Sequence, residues 1–195
     1  MHSSTSICNM ALAYLGQAPI SSLNQDNERA RWMKLFYEPV RDEVLRTHNW
    51  AFAATEKPLV QLASVSVCPG HFCYKYPADA LFIRRVFAPS CPQKPLLFTE
   101  QYDPVQHQRM LVAEVPQAVA YYTRRVMDET QFDASFAKTF ALALASDAAL
   151  ALTGDVALAA RLQQQYMLYL EEARRANMAE THAVLPQTDS FSEVR

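Results

Sequence analysis

The stretch "ARWMKLFYEPVRDEVLRTHNWAFA", Ala30 to Ala53, decides the fold. Ala30, Met33, Phe36, Tyr37, Val40 and Val44 recur at the i, i+3, i+4, i+7 spacing of one helical face. The phase survives Pro39, so the stretch reads as one bent helix or two stacked pieces, starting near Asp26 or Asn27. Pro39 removes the donor that the Leu35 carbonyl needs, which in a straight interior costs about 3 kcal/mol. Trp32, Leu35 and Leu45 fall off the main face. Such a helix is either buried on two sides in its own domain or turned toward a neighbouring subunit. The second reading makes these three residues partner contacts, with Pro39 as the bend that lets both faces be used. Lys34–Glu38 and Asp42–Arg46, each at i,i+4, read as a solvated row of ion pairs worth roughly a few tenths of a kcal/mol each. "THNW" then marks where the chain leaves a helical bundle, with Trp50 as the anchor of the exit.

Three further helices follow from the same periodicity. The first spans about Ser4 to Leu15, with Ile7, Met10, Ala11 and Tyr14 on one face and Ser3 or Ser4 as cap. A third starts at Asp133 and aligns Phe136, Phe140, Leu144 and Ala148; its alanines permit close helix packing. A fourth starts at Asp155 and aligns Leu158, Leu162, Tyr166, Tyr169 and Ala173. Gly16 and Gly154 stand where helices need a left-handed terminator.

Between Trp50 and about Val126 the texture changes. Most of the prolines lie here, alternating with "FCYKY", "LFIRRVFA", "LLFTEQY", "RMLVAEV" and "AVAYYTRRV". The expected fold is mainly α with a small antiparallel β insertion. Residues 1–50 and 127–182 form the bundle, 51–126 the insertion, and 183–195 an extended tail, within one structural domain.

Composition narrows the function. The 195 residues are 50% hydrophobic and 19% charged, which suits one globular domain. A net charge of −2 gives no reason to expect sequence-independent nucleic-acid binding; basic doublets occur only at Arg84–Arg85, Arg124–Arg125 and Arg174–Arg175. The apolar N-terminal stretch has no Lys or Arg before it, so no signal peptide is expected. The most apolar run, Phe140 to Gly154, is broken by Asp147 and too short to cross a bilayer. The reading is a soluble cytoplasmic chain whose four cysteines are thiols.

No nucleophile elbow, zinc-protease helix, phosphate loop or dinucleotide fingerprint is present. Glu38 with Asp42, and Glu171 with Glu172, sit beside basic residues on exposed faces and read as solvated. His48 reads as a cap compatible with a helix C-terminus. Cys68, His71 and Cys73, with Cys91 beyond, offer a conceivable zinc set, but the spacing is not a usual knuckle and structural thiols are the expectation. No catalytic residue, cofactor or metal is assigned.

The order of motifs resembles the head-to-tail adaptors of short-tailed phages, the tail tubular protein A family. That family carries a short helix ending in glycine, an I-S-S turn (here Ile20 to Ser22), then a helix reading "ARxxxxFYxxxRDxVLRxxxWxFA". The matching positions are Ala30, Arg31, Phe36, Tyr37, Arg41, Asp42, Val44, Leu45, Arg46, Trp50, Phe52 and Ala53. A strand entry "Y-x-x-P-x-D-x-L" follows through Tyr74, Pro77, Asp79 and Leu81, and the segment from Asp128 to Ala149 is similar to the family's penultimate helix. The "CPGH" turn departs from the pattern. The resemblance implies a non-enzymatic virion connector made in the host bacterial cytoplasm. It would be a dodecameric ring between the portal protein and the tail nozzle protein, with DNA only passing through its channel, no membrane and no cofactor. Other classes consistent with the residues are a tail-associated peptidoglycan hydrolase, which needs two carboxylates across a cleft, and a helical ligand-binding regulator.

The last stretch, Ala183 to Arg195, has apolar residues too sparse to fold alone. Leu185 and Phe191 are expected as apolar anchors on a partner, and Arg195 as a polar clamp.

Overall fold

A computed structural model describes residues 2–62, 70–104 and 106–181. The helices are α1 (Ser4–Tyr14), α2 (Glu28–Thr47), α3 (Ala134–Thr153) and α4 (Val156–Thr181). Their starts are fixed by side-chain caps. Ser3 and Ser6 form a reciprocal capping box on α1, and Asn27 accepts from Ala30 N at 2.8 Å on α2. Asp133 accepts from Phe136 N at 2.7 Å on α3, and Asp155 from Leu158 N at 3.0 Å on α4. Each satisfies a backbone donor that has no partner inside its helix. Gly154, at φ +66°, turns the chain sharply from α3 into α4.

α3 is the central helix, packed against α1, α2 and α4. That explains its composition: Phe136, Phe140, Leu142, Leu144 and six of its alanines are buried around most of its circumference. At 20 residues it is long and apolar enough to cross a bilayer. The run from Phe140 understates it, because the helix already begins at Ala134. Here its apolar faces are covered by the other helices.

The β region is larger than its texture suggests. Seven strands form among the described residues: β1 (Ala54–Pro58), β2 (Phe72–Lys75), β3 (Ala80–Ala88), β4 (Cys91–Leu96), β5 (Phe98–Asp103), β6 (Gln108–Ala113) and β7 (Val119–Arg124). They pair antiparallel into two sheets, of order β1-β7-β3-β4 and β2-β6-β5. The sheets share a core of their own. Tyr74, Leu111 and Ala113 from one meet Ile83, Ala120 and Tyr122 from the other. The fold is therefore not mainly α with a small insertion; it is a four-helix bundle joined to a seven-stranded, two-sheet unit. The unforeseen strands are β1 and β4, "ATEKP" and "CPQKPL". Both are edges of the four-stranded sheet, where lysine and proline guard an open edge and no alternating apolar pattern is required.

The bundle and the sheets meet at the end of α2, and here the abrupt "HNW" ending has its cause. A helix leaves its last carbonyls without donors. Trp50, completely buried, donates Nε1–H to the Val44 carbonyl at 3.1 Å and packs edge-on to Phe136. Arg84 of β3 donates to the carbonyls of Arg46 (2.8 Å) and His48 (2.6 Å), and to Thr123 Oγ1 of β7 (3.0 Å). Arg174 of α4 donates to the Thr47 carbonyl at 3.0 Å. Cations on a helix C-terminus also oppose its macrodipole favourably. In return Arg46 donates to the Leu81 carbonyl at 2.7 Å, and Arg124 to that of Phe52 at 2.9 Å. Arg125 pairs with Asp42 at 2.8 Å.

Candidate interaction surface

The residues singled out on α2 separate in the structure. Leu45 is fully buried in the bundle core and presents nothing to a neighbouring chain. It lies off the main stripe because α2 packs against α3 and also against β3, so its C-terminal half is covered over a wider arc. Toward the N-terminal half that second cover is missing. Leu35 is 59% exposed, and Trp32 is half-buried with its ring stacked on Phe36 at 5.8 Å. Glu28 and Arg31 complete a shallow groove around them. The aromatic pair is rigid and apolar, with charges at its margin, an arrangement suited to a protein contact. Leu185, Phe191 and Arg195 lie outside the described residues, as does the tail they belong to.

α2 runs unbroken through Pro39. Pro39 and Leu35 are both exposed, so the carbonyl left without a helical donor lies on the solvent side, where water can serve it. The row of ion pairs expected along this helix does not form. Lys34 donates instead to Asn24 at 3.0 Å, and Asp42 is taken by Arg41 and Arg125. Arg46 serves the Leu81 carbonyl. Lys34 is served by the loop before α2, whereas Asp42 and Arg46 find partners in or beside the sheets.

A second exposed apolar face was not legible in advance. On α4, Met167, Leu168 and Met178 stand in solvent, Leu168 at 72%, opposite the stripe of Leu162, Tyr166 and Ala173 that faces α3. Glu171 and Arg174, paired at 2.6 Å, lie between them. The only available signal was large apolar residues out of phase with the core stripe.

The possible catalytic and metal groups are dispersed. Of the two carboxylate pairs read as solvated, Asp42 is held by Arg41 and Arg125, and Glu171 by Arg174. Cys68 lies outside the described residues. Cys73 packs among Met110 and Val112, where burial pushes its thiol pKa up, whereas Cys91 is exposed on a strand of the other sheet. His71 is 3.6 Å from Glu114. Among the described residues no three His, Cys, Asp or Glu side chains gather as a metal-ligand group.

His48 takes a different role from the one expected. Arginines cap the helix, and the imidazole packs edge-on to Trp50 at 5.1 Å. The Nδ2 of Asn177 sits 3.0 Å from its Nε2 and also donates to the Asn49 carbonyl, while the Asn177 Oδ1 accepts from Ala51 N. Burial lowers the His48 pKa, and the charges of Arg174 and Arg84 lower it further.

The basic doublets are largely accounted for by this joint. Arg84, Arg124, Arg125 and Arg174 each bind a carbonyl or carboxylate of their own chain, and Arg85 approaches Glu56 at 3.5 Å. They form a seam between bundle and sheets and not a basic patch for a polyanion. Comparison of the chain with known protein families and with curated proteins found no match.

Proposed function

We propose that this chain is a subunit of a ring-shaped virion connector, lying between the portal and the tail nozzle of a short-tailed phage and carrying no catalysis of its own. The observation that carries this reading is the pair of distinct exposed apolar faces, Trp32 and Leu35 on α2, and Met167, Leu168 and Met178 on α4. A closed ring of identical subunits needs two different patches on each copy, one docking into the other. Both patches stand on helices packed against the same rigid core helix, so their relative geometry is fixed.

The motif order of the phage adaptors supports the same reading. Its positions here divide between fold-holding contacts, such as Trp50, Arg46 and Asp42, and the outward α2 face beside Arg31. A ring of near-neutral subunits gives DNA a channel without strong adhesion, consistent with a chain of net charge −2. Twelve copies, the portal and the nozzle protein as partners, and assembly in the bacterial cytoplasm belong to this proposal. It is tested by imaging and weighing the purified protein alone and mixed with the portal protein of the same phage. A ring that forms on the portal supports the reading; a protein that stays apart from portals at micromolar concentration contradicts it.

A further inference from the structure

The two outward faces differ in shape and match in charge. On α2, Glu28, Arg31, Trp32 and Leu35 line a shallow groove of about 380 Å³. On α4, Leu168 projects instead, 72% exposed, and Glu172 and Arg175 follow it four and seven residues on. On α2 the charges precede the leucine by the same intervals, Arg31 by four residues and Glu28 by seven. Four and seven residues return to nearly the same side of a helix, so each set forms one stripe. All four charged residues are exposed. The side chains of Glu28, Glu172 and Arg175 enter no ion pair or hydrogen bond among the described residues. Glu172 acts on Lys138, whose ammonium is bonded to the Tyr169 hydroxyl at 2.9 Å. Arg31 engages only its Nε, on the Asn27 carbonyl at 3.5 Å.

We propose that α4 of one copy docks antiparallel on α2 of the next, with Leu168 seated in the groove against Leu35 and Trp32. In that direction, the residues before Leu35 come to face the residues after Leu168. Arg31 then meets Glu172 about 6 Å along the axis, and Glu28 meets Arg175 about 10 Å along it, from the helical rise of about 1.5 Å per residue. Both encounters are of opposite sign. The parallel alternative keeps one attraction, Glu28 with Arg161, but sets Glu38 beside Glu171. The contact therefore has an apolar centre and a charged rim, and the charges select its direction and register. The occupant is a second copy of this chain, because each face carries the complement of the other. The inference rests on the reading that these faces join copies into a ring, and adds which helix meets which and in what direction.

The test uses two full-length variants, Leu35→Cys and Leu168→Cys, each made with Cys68→Ser and Cys91→Ser. They are treated with a short bismaleimide, singly and mixed, at high protein concentration and again on the portal. Covalent dimers are expected from the mixture and not from either variant alone. A second arm reads self-association by sedimentation. Arg31→Glu should weaken it roughly tenfold, and adding Glu172→Arg to the same chain should restore it to within about threefold, because the exchanged charges meet again across the contact. Both variants should melt with the parent, since the two side chains are exposed. Mixed variants that link while the chain ignores portals keep the contact and contradict the connector reading. Rings on portals whose mixed variants do not link, or whose single variants link to themselves, overturn the contact and leave the connector reading standing. Absence of linking in both settings, or a double variant as weak as Arg31→Glu, overturns the contact as well.

Discussion

His48 stands where the helical bundle, the sheets and α4 meet, and its charge is set against the fold. Its neighbours in reach include Arg84 and Arg174, and burial lowers its pKa before they do. The folded state therefore favours the neutral ring, with Nε2 accepting from Asn177 at 3.0 Å. The sign follows from linkage: the unfolded chain holds the proton more tightly than the folded one below the ordinary imidazole pKa of about 6.5. This contribution to stability is complete above that pH and is lost as pH falls from there through the lowered folded value. Urea unfolding between pH 8 and pH 5 should show that loss in the parent, and a flatter profile over the same window in His48→Gln. Equal slopes would remove His48 from the account. Arg84 is the second residue on which the joint depends. Arg84→Met keeps the aliphatic stem but deletes three hydrogen bonds, to Arg46, His48 and Thr123. The expected loss is about 2–3 kcal/mol, since carbonyls of a helix end lose a charged donor. A change under 0.5 kcal/mol by chemical denaturation would mean that water replaces it without cost.

At the scale of elements, α2 divides its work along its length. Its C-terminal half is inside the molecule, held by Trp50, Arg84 and Leu45; its N-terminal half turns Trp32 and Leu35 outward. Replacing the outward pair, Trp32→Ala with Leu35→Lys, should leave monomer stability within about 1 kcal/mol, because Leu35 already meets solvent. The same variant should fail to assemble with itself or with a portal, read by sedimentation. Assembly at the parent's concentration would remove this face from the interface. The helices were legible because each carries a cap and a strong periodic stripe: Asn27 before Ala30 and Met33, and Asp133 before Phe136 and Phe140. The five strands with apolar alternation were legible for the same reason. β1 and β4 were not, because an edge strand buries little and its proline and lysine resemble those of a turn. Leu45 was misplaced since helical phase tells which residues share a face, not how many neighbours cover it. The α4 face is a product of packing: periodicity does not say which apolar residues the other helices leave uncovered.

The whole molecule combines a rigid bundle, a two-sheet unit and a seam of arginines between them. The arginine seam ties the two units together, which under the proposed ring suits a member whose two docking faces must repeat at one angle in every copy. The central claim is that these faces close a ring on a portal. It is tested most directly by mass measurement of the purified chain before and after mixing with the portal protein of the same phage, followed by electron microscopy of the product. The account predicts a discrete particle heavier than the portal by about twelve copies of this 22.1 kDa chain, and none of it with the Trp32→Ala, Leu35→Lys variant. A mixture that shows only free portal and free chain, at concentrations where both are folded, would contradict it.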